Sequence, residues 1–251
     1  MRRFRADLHI HSCLSPCAAI DMSPKAIVER SLEIGLDLIA LCDHNSAENV
    51  GAAMRAGNHR GLSVLPGLEI NSVEEVHTLA IFDREEQALA MQEIVYARLE
   101  GSNRPDVFGD QVVANEFDEV EGFNDRLLIG AAGIELYELV QEIRRLGGLS
   151  IAAHVDRPSY SVLGQLGFIP DDLPLAALEV SRNGSLNSLR RDLPGVEERG
   201  IGMVTSSDAH ELEDIGAVCT LFDIASPCVD ELVLAFRGAE GRRVEFSPGK
   251  G

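Results

Sequence analysis

Seven histidines occur in the chain, His9, His11, His44, His59, His77, His154 and His210. Six of them stand at or just beyond one end of a run that reads as a β-strand, five at its close and His77 at its start. Acids accompany them. In segment 4–10, Asp7, His9 and His11 alternate with Ala6, Leu8 and Ile10. The strand period of two puts all three polar groups on one face, so both imidazoles can reach one ion. Asp43 and His44 follow an apolar run ending at Cys42, Glu69 closes the run from Val64, and His154 ends the run from Ser150. Asp208 and His210 end the run from Met203. Imidazole with carboxylate suits zinc, manganese or iron, and a carboxylate such as Glu69 can bridge two ions. A lone HxH, or a DH pair at a strand end, is equally a capped or core histidine. The whole set points to a centre of two or three divalent ions. His59, in a stretch that reads as a helix end, is expected to be exposed and inert.

Two arginines could meet an anionic substrate. Arg157 lies three residues past His154, and its planar fork matches a phosphate bidentately. Arg182 follows the apolar run 178–181 and is a second candidate. Either could instead pair with one of the 41 acids. Among five cysteines, Cys42, Cys219 and Cys228 have apolar contexts and read as packing residues, and there is no CxxC pair.

Positioning these groups requires strands that deliver their ends to one rim. Strands are expected near 4–10, 36–42, 62–70, 76–82, 149–154, 176–181, 201–206 and 217–222, with helices near 24–34, 46–58, 84–100, 134–146 and 229–239. Ser23 as N-cap, Pro24 at the first position and Gly35 past the end delimit the first helix. The βαβα rhythm predicts a parallel sheet with helices outside, and active sites in such folds sit at the C-terminal ends of the strands. The acidic stretch 101–129 breaks the rhythm and reads as an inserted loop or lid in one domain spanning 1–251.

The 251 residues are 45% hydrophobic and 25% charged, as in an ordinary globular protein. No apolar run approaches the ~20 residues of a membrane helix, and the N-terminus lacks the apolar stretch of a signal peptide. With its unpaired cysteine count, the chain reads as cytoplasmic. The net charge of −19 and the absence of a basic stripe argue against long nucleic acid as a partner and for a small phosphorylated substrate reached through metal charge.

The motifs Asp7-Leu-His-Ile-His11-Ser12, Asp43-His44-Asn45, Gly67-Leu-Glu69, His77, Ala153-His154 and Ser207-Asp208-Ala-His210 resemble, in order and over nearly the whole chain, the polymerase and histidinol phosphatase (PHP) family. The resemblance implies an α/β fold, a distorted (β/α)7 barrel with its metal site at the C-terminal ends of the strands. It further implies phosphoester hydrolysis by a metal-bridging hydroxide. Carried over by position, His9, His11, Glu69 and Asp208 would hold one ion, His44 and His210 a second, and Glu69, His77 and His154 a third. Asp43 would orient its neighbours or touch a metal, and Asp7 would support the ligands. Cys17, six residues after His11, stands where some relatives carry a histidine ligand. It is either a thiolate ligand or a packing residue.

The expected reaction is hydrolysis of a phosphomonoester or small phosphodiester, with Asp43, Arg157 and Asp208 as catalytic residues and Arg157 and Arg182 on the phosphate. Two alternatives remain. An amidohydrolase-like enzyme would supply a bridging lysine, but Lys25 and Lys250 lie outside the ligand strands. A non-catalytic metal-stabilised module would tend to have lost ligands.

Overall fold

The computed structural model describes residues 1–246, so Lys250 lies outside the described residues. In chain order the elements are β1 (Arg2–Ile10), α1 (Pro24–Glu33), β2 (Leu38–His44), α2 (Val50–Asn58), β3 (Ser63–Asn71), β4 (His77–Ile81), α3 (Glu85–Tyr96), α4 (Pro105–Phe108), β5 (Val112–Ala114), β6 (Val120–Phe123), α5 (Leu136–Arg145), β7 (Leu149–Ala152), α6 (Val162–Leu166), β8 (Ala177–Val180), α7 (Leu186–Asp192), β9 (Gly202–Thr205), β10 (Thr220–Ile224), α8 (Val229–Phe236) and β11 (Arg243–Phe246). Local chemistry sets several boundaries. Ser23 accepts the Ala26 amide at the start of α1, Pro24 opens the helix, and Gly35 beyond it takes a φ of 75°.

Nine strands form one sheet in the order β11-β10-β1-β2-β3-β4-β7-β8-β9. Strands β1, β2 and β3 are mutually parallel, as are β7, β8 and β9, whereas β4 is antiparallel to both β3 and β7. Strand β10 is antiparallel to β1 and to β11. The sheet is therefore mixed, and the expectation of a purely parallel sheet is corrected. The chain after β9 returns to β1: Ala209 bridges Ile10, and the His11 amide donates to the Ala209 carbonyl at 3.0 Å. This contact nearly closes the sheet into a distorted barrel at the rim where the parallel strands end.

Two apolar layers follow from the pleat. Ala6, Leu8, Leu38, Ala40, Leu65, Leu79, Ile81, Ile151, Ala177 and Val204 fill the interior. Ile10, Ile39, Leu41 and Ile70 pack against Ile27, Val28, Val50 and Met91 of the surrounding helices. Stretch 101–129 contributes α4 and the separate β5–β6 sheet. Asn49 anchors that sheet through Val112 O (3.1 Å) and the Ala114 amide (3.0 Å).

Candidate metal centre

Alternation of inward and outward side chains delivers the polar groups to the barrel mouth. In β2 the inward series Leu38, Ala40, Cys42 ends on His44, and in β3 the series Leu65, Gly67 ends on Glu69. Strand β4 runs the other way. Its first residue, His77, therefore reaches the same rim, with Leu79 and Ile81 below it. In β1 the alternation is not strict. The β1–β2 register shifts between Asp7 and Ile10, so Leu8 faces inward while Ile10 joins the outer layer. Asp7, His9 and His11 thus do not share one face, as strict alternation predicted. His9 and His11 enter the centre, while the buried Asp7 carboxylate accepts the amides of Ser207 (3.0 Å) and Gly216 (2.9 Å) and fixes the segment that carries Asp208. Burial pushes Asp7 up to about 6 despite those bonds.

Glu69 lies at the middle of the centre. Its Oε1 is 2.8 Å from His77 Nδ1, 3.1 Å from His154 Nε2 and 3.5 Å from His9 Nε2. Its Oε2 is 3.1 Å from His44 Nδ1 and 3.4 Å from His11 Nε2. Asp208 Oδ1 approaches His11 Nε2 (3.2 Å), His9 Nε2 (3.3 Å) and His210 Nδ1 (3.7 Å). Three overlapping sets bring their donor atoms within 4.8 Å: His9, His11 and Asp208; His11, His44 and His210; His44, Glu69 and His77.

The outer ring nitrogens explain how the donors are aimed. His9 Nδ1 donates to Glu179 Oε2 at 3.0 Å. Ser15 Oγ donates its proton to Asp43 Oδ1 at 2.6 Å, which leaves its lone pairs for His11 Nδ1 at 2.9 Å. His210 Nδ1 donates to the Asp208 carbonyl at 2.8 Å. In all three rings the Nε2 lone pair is then free to face a cation, the usual support for a ligating histidine. The rest of the Asp43 carboxylate accepts the Ser12 amide (2.7 Å) and hydroxyl (2.6 Å). Asp43 therefore holds the loop after β1 and is not among the converging donors.

Backbone strain collects here. Asn45, His154, Tyr160 and Asp208 border the centre with positive φ, four of the seven non-glycine residues in that state among those described. His154 follows inward-facing Ala153, so alternation alone would turn its ring away. Its φ of 30° ends the strand and brings the ring to Glu69.

The electrostatics suit cations. Burial alone would raise Glu69 and lower His11 and His44, but their mutual attraction wins. Glu69 is held well below the carboxylate range by His77, His9 and His44. Asp208 and Glu69 hold His11 up at about 9, and Glu69 and Cys17 hold His44 up at about 9. Burial, with the neighbouring His11, lowers His210 to about 3. So many imidazoles around two carboxylates cannot all be protonated, and divalent ions fit this donor chemistry. The buried Nδ1 of His154, which has no hydrogen-bond partner, also fits a centre completed by something other than protein.

Among the remaining candidates, Cys17 is exposed and adjoins His44 but belongs to none of the three sets. Arg157, 40% exposed, donates to Asp208 Oδ2 at 2.6 Å. Arg182 pairs with Asp214 at 2.5 Å and feels Asp208 as well. His59 is exposed on the helix side. Lys25 pairs with Asp118 at the surface, away from the centre. Sequence reasoning missed Glu179. The signal was a single acid in the apolar run 177–180, with the parity of inward-facing Ala177. No helix among the described residues is long and apolar enough to cross a membrane.

The chain also has recognisable relatives. Over 71 residues it is 37% identical to a PolC-type DNA polymerase III of Oceanobacillus iheyensis, a match covering 28% of this chain and 5% of the polymerase. Over 77 residues it is 31% identical to the 5'-3' exoribonuclease Rnm of Escherichia coli, covering 30% of this chain and 25% of that protein. The chain thus spans a small part of the length of these relatives. Endonuclease Q from Pyrococcus furiosus shares the fold, with a TM-score of 0.74 at 18% identity over 97% of this chain and 58% of that one. Endonuclease Q has also been solved on a 27-mer duplex with an abasic lesion at its active site (TM-score 0.70, 19% identity, 96% of this chain and 58% of that one). These relatives overturn the expectation of a small phosphorylated substrate and no long nucleic acid. Net charge averages over the whole surface, whereas a phosphate meets only the local field of the centre and its arginines. Residues 191–240 match the PHP-associated model, and residues 7–158 match the PHP domain. That second match takes in more than half of the chain and the donors from His9 to His154, so the chain belongs to the PHP domain family of metal-dependent phosphoesterases.

Proposed function

We propose that this protein hydrolyses phosphodiester bonds in nucleic acid with two or three divalent ions, zinc, manganese or iron. The observation that carries the reading is Glu69 ringed by five imidazoles, with Asp208 and Arg157 at the mouth. The nucleic-acid substrate is supported by the polymerase and exoribonuclease relatives. His9, His11, Glu69 and Asp208 would hold one ion, His44 and His210 a second, and Glu69, His77 and His154 a third. Cys17, beside His44, is a further donor for the second. Bound there, the ions would supply a nucleophilic water near neutral pH and positive charge opposite the phosphoryl oxygens.

The chain's own groups do the positioning. Glu179 and the Ser15–Asp43 pair hold His9 and His11 with their inner nitrogens free. Asp7 fixes the segment that carries Asp208. Arg157 binds Asp208 with one edge of its guanidinium and presents its other N–H groups to a phosphoryl oxygen. Arg182, freed from Asp214, is a second phosphate contact.

The test is cleavage of end-labelled single-stranded and duplex oligonucleotides by metal-loaded protein, alongside the Asp208→Ala variant. We expect shortened products that the variant does not make. Protein that carries its ions, is folded and cuts no oligonucleotide overturns the reading and favours a non-catalytic module.

A further inference from the structure

We propose that Tyr160 forms a nucleobase-binding subsite, stacking on the base next to the scissile phosphate. The proposal rests on the nucleic-acid reading above and adds to it an unstacked base, accepted without sequence preference. Tyr160 lies three residues past Arg157, on the loop that joins β7 to α6. Its φ of 57° is one an aromatic residue rarely adopts. The surroundings enforce it. The Tyr160 carbonyl accepts the His77 amide at 3.0 Å. The next residue, Ser161, donates to the Arg157 carbonyl at 2.6 Å and accepts the Gly164 amide as the cap of α6. The ring is thereby laid on the His77 imidazole, 4.8 Å between centroids and 29° from parallel.

His77 in turn touches Glu69 at 2.8 Å, so Tyr160 stands one ring away from the middle of the centre. Yet 44% of Tyr160 stays exposed. An aromatic ring pinned at the mouth, backed by a second ring and open to solvent, is the arrangement on which bases stack. A phosphate among Glu69, Asp208 and Arg157 would put its nucleoside at this rim. Stacking tolerates every base because each has a π-face. A base inside a duplex has both faces covered, so the platform selects single strands, frayed ends or extruded nucleotides.

The experiment compares kcat/KM for wild type, Tyr160→Phe and Tyr160→Ala on single-stranded oligonucleotides with a normal or an abasic nucleotide beside the cleaved bond. Metal content is measured in parallel. On the normal substrate we expect Tyr160→Ala to lose about 10- to 100-fold, with Tyr160→Phe close to wild type. On the abasic substrate wild type should fall to the level of Tyr160→Ala, and the two losses should not add. An equal loss for Tyr160→Ala on both substrates would mean that the ring merely props His77, and it overturns the platform. Wild type that cuts normal and abasic substrates equally well also overturns the platform while leaving the nuclease reading intact. Wild type that cuts no oligonucleotide overturns the nuclease reading itself.

Discussion

At the residue scale, aim matters as much as donor type. His9 is useful to a cation only while Glu179 occupies its Nδ1. Glu179→Gln keeps the shape and removes the charge, so we expect metal affinity to drop about 10- to 100-fold with the fold intact. Isothermal titration with zinc or manganese measures it, and unchanged affinity would assign Glu179 to packing. His9→Ala or Asp208→Ala should remove activity outright. Retention of more than about a tenth of wild-type kcat, roughly 1.4 kcal/mol in barrier, would refute the ligand assignment. Arg157→Ala should leave metal content unchanged and lower kcat/KM on the order of 10- to 1,000-fold, with Arg157→Lys rescuing part of it. Steady-state kinetics decide between this role and a plain ion pair with Asp208, in which case Arg182 becomes the better phosphate contact.

At the element scale, the centre depends on strand direction and on loops tied down by single side chains. Asn49 ties the β5–β6 sheet to the mouth of the barrel, bonding Val112 O, the Ala114 amide and Ser12 Oγ (2.9 Å). Asn49→Ala removes all three bonds, although Ser12 Oγ keeps Asp43 and the Leu14 amide, and Val112 O keeps Cys13 Sγ. We expect a loss of about 1–3 kcal/mol, together with faster proteolysis within 101–129. Denaturant unfolding and limited digestion test this, and unchanged digestion would show that other contacts hold the sheet. Helix α1, expected at 24–34 and found at Pro24–Glu33, survived well because it carries its own cap, whereas β2, expected at 36–42, runs two residues further, from Leu38 to His44. Strand β11 and helices α6 and α7 escaped prediction because each is short and weakly patterned, so its partners hold it in place more than its own residues do.

At the scale of the whole molecule, protons and ions compete for one centre. Without ions, burial works against charge on His11 and His44, but Asp208 and Glu69 hold His11, and Glu69 and Cys17 hold His44, up at about 9. Below that pH an entering ion must displace their protons, so affinity should rise with pH through neutrality and fall in acid. Glu179, Asp208 and Glu69 hold His9 well above its ordinary value too, so with His11 and His44 we expect about three protons released per chain on metal loading near pH 7. Titrations in buffers of different ionisation enthalpy count them, and the absence of release would refute the assignment. The acidic surface predicts weak salt dependence. If Arg157 and Arg182 are the main phosphate contacts, the slope of log affinity against log salt for a single strand is about −1.4. A slope several times steeper would point to a basic track elsewhere.

The sequence alone determined the donor types, their order, and the barrel they imply, because apolar runs ending on His, Asp or Glu are local patterns that alternation can read. It could not set the direction of β4, which decides that His77, at the start of its strand, faces the same rim as residues ending theirs. The register shift in β1 was likewise invisible: it arises from pairing with β2, and it sends Asp7 away from His9 and His11. Glu179 looked like an ordinary acid until β8 became an interior strand beside His9. Net charge, summed over the chain, is a poor guide to whether nucleic acid can bind, because a phosphate meets the field at one point. Only tertiary structure brings residues 9, 69, 179 and 208 within a few ångströms, because that proximity comes from closing the sheet, and closure is a property of all the strands together.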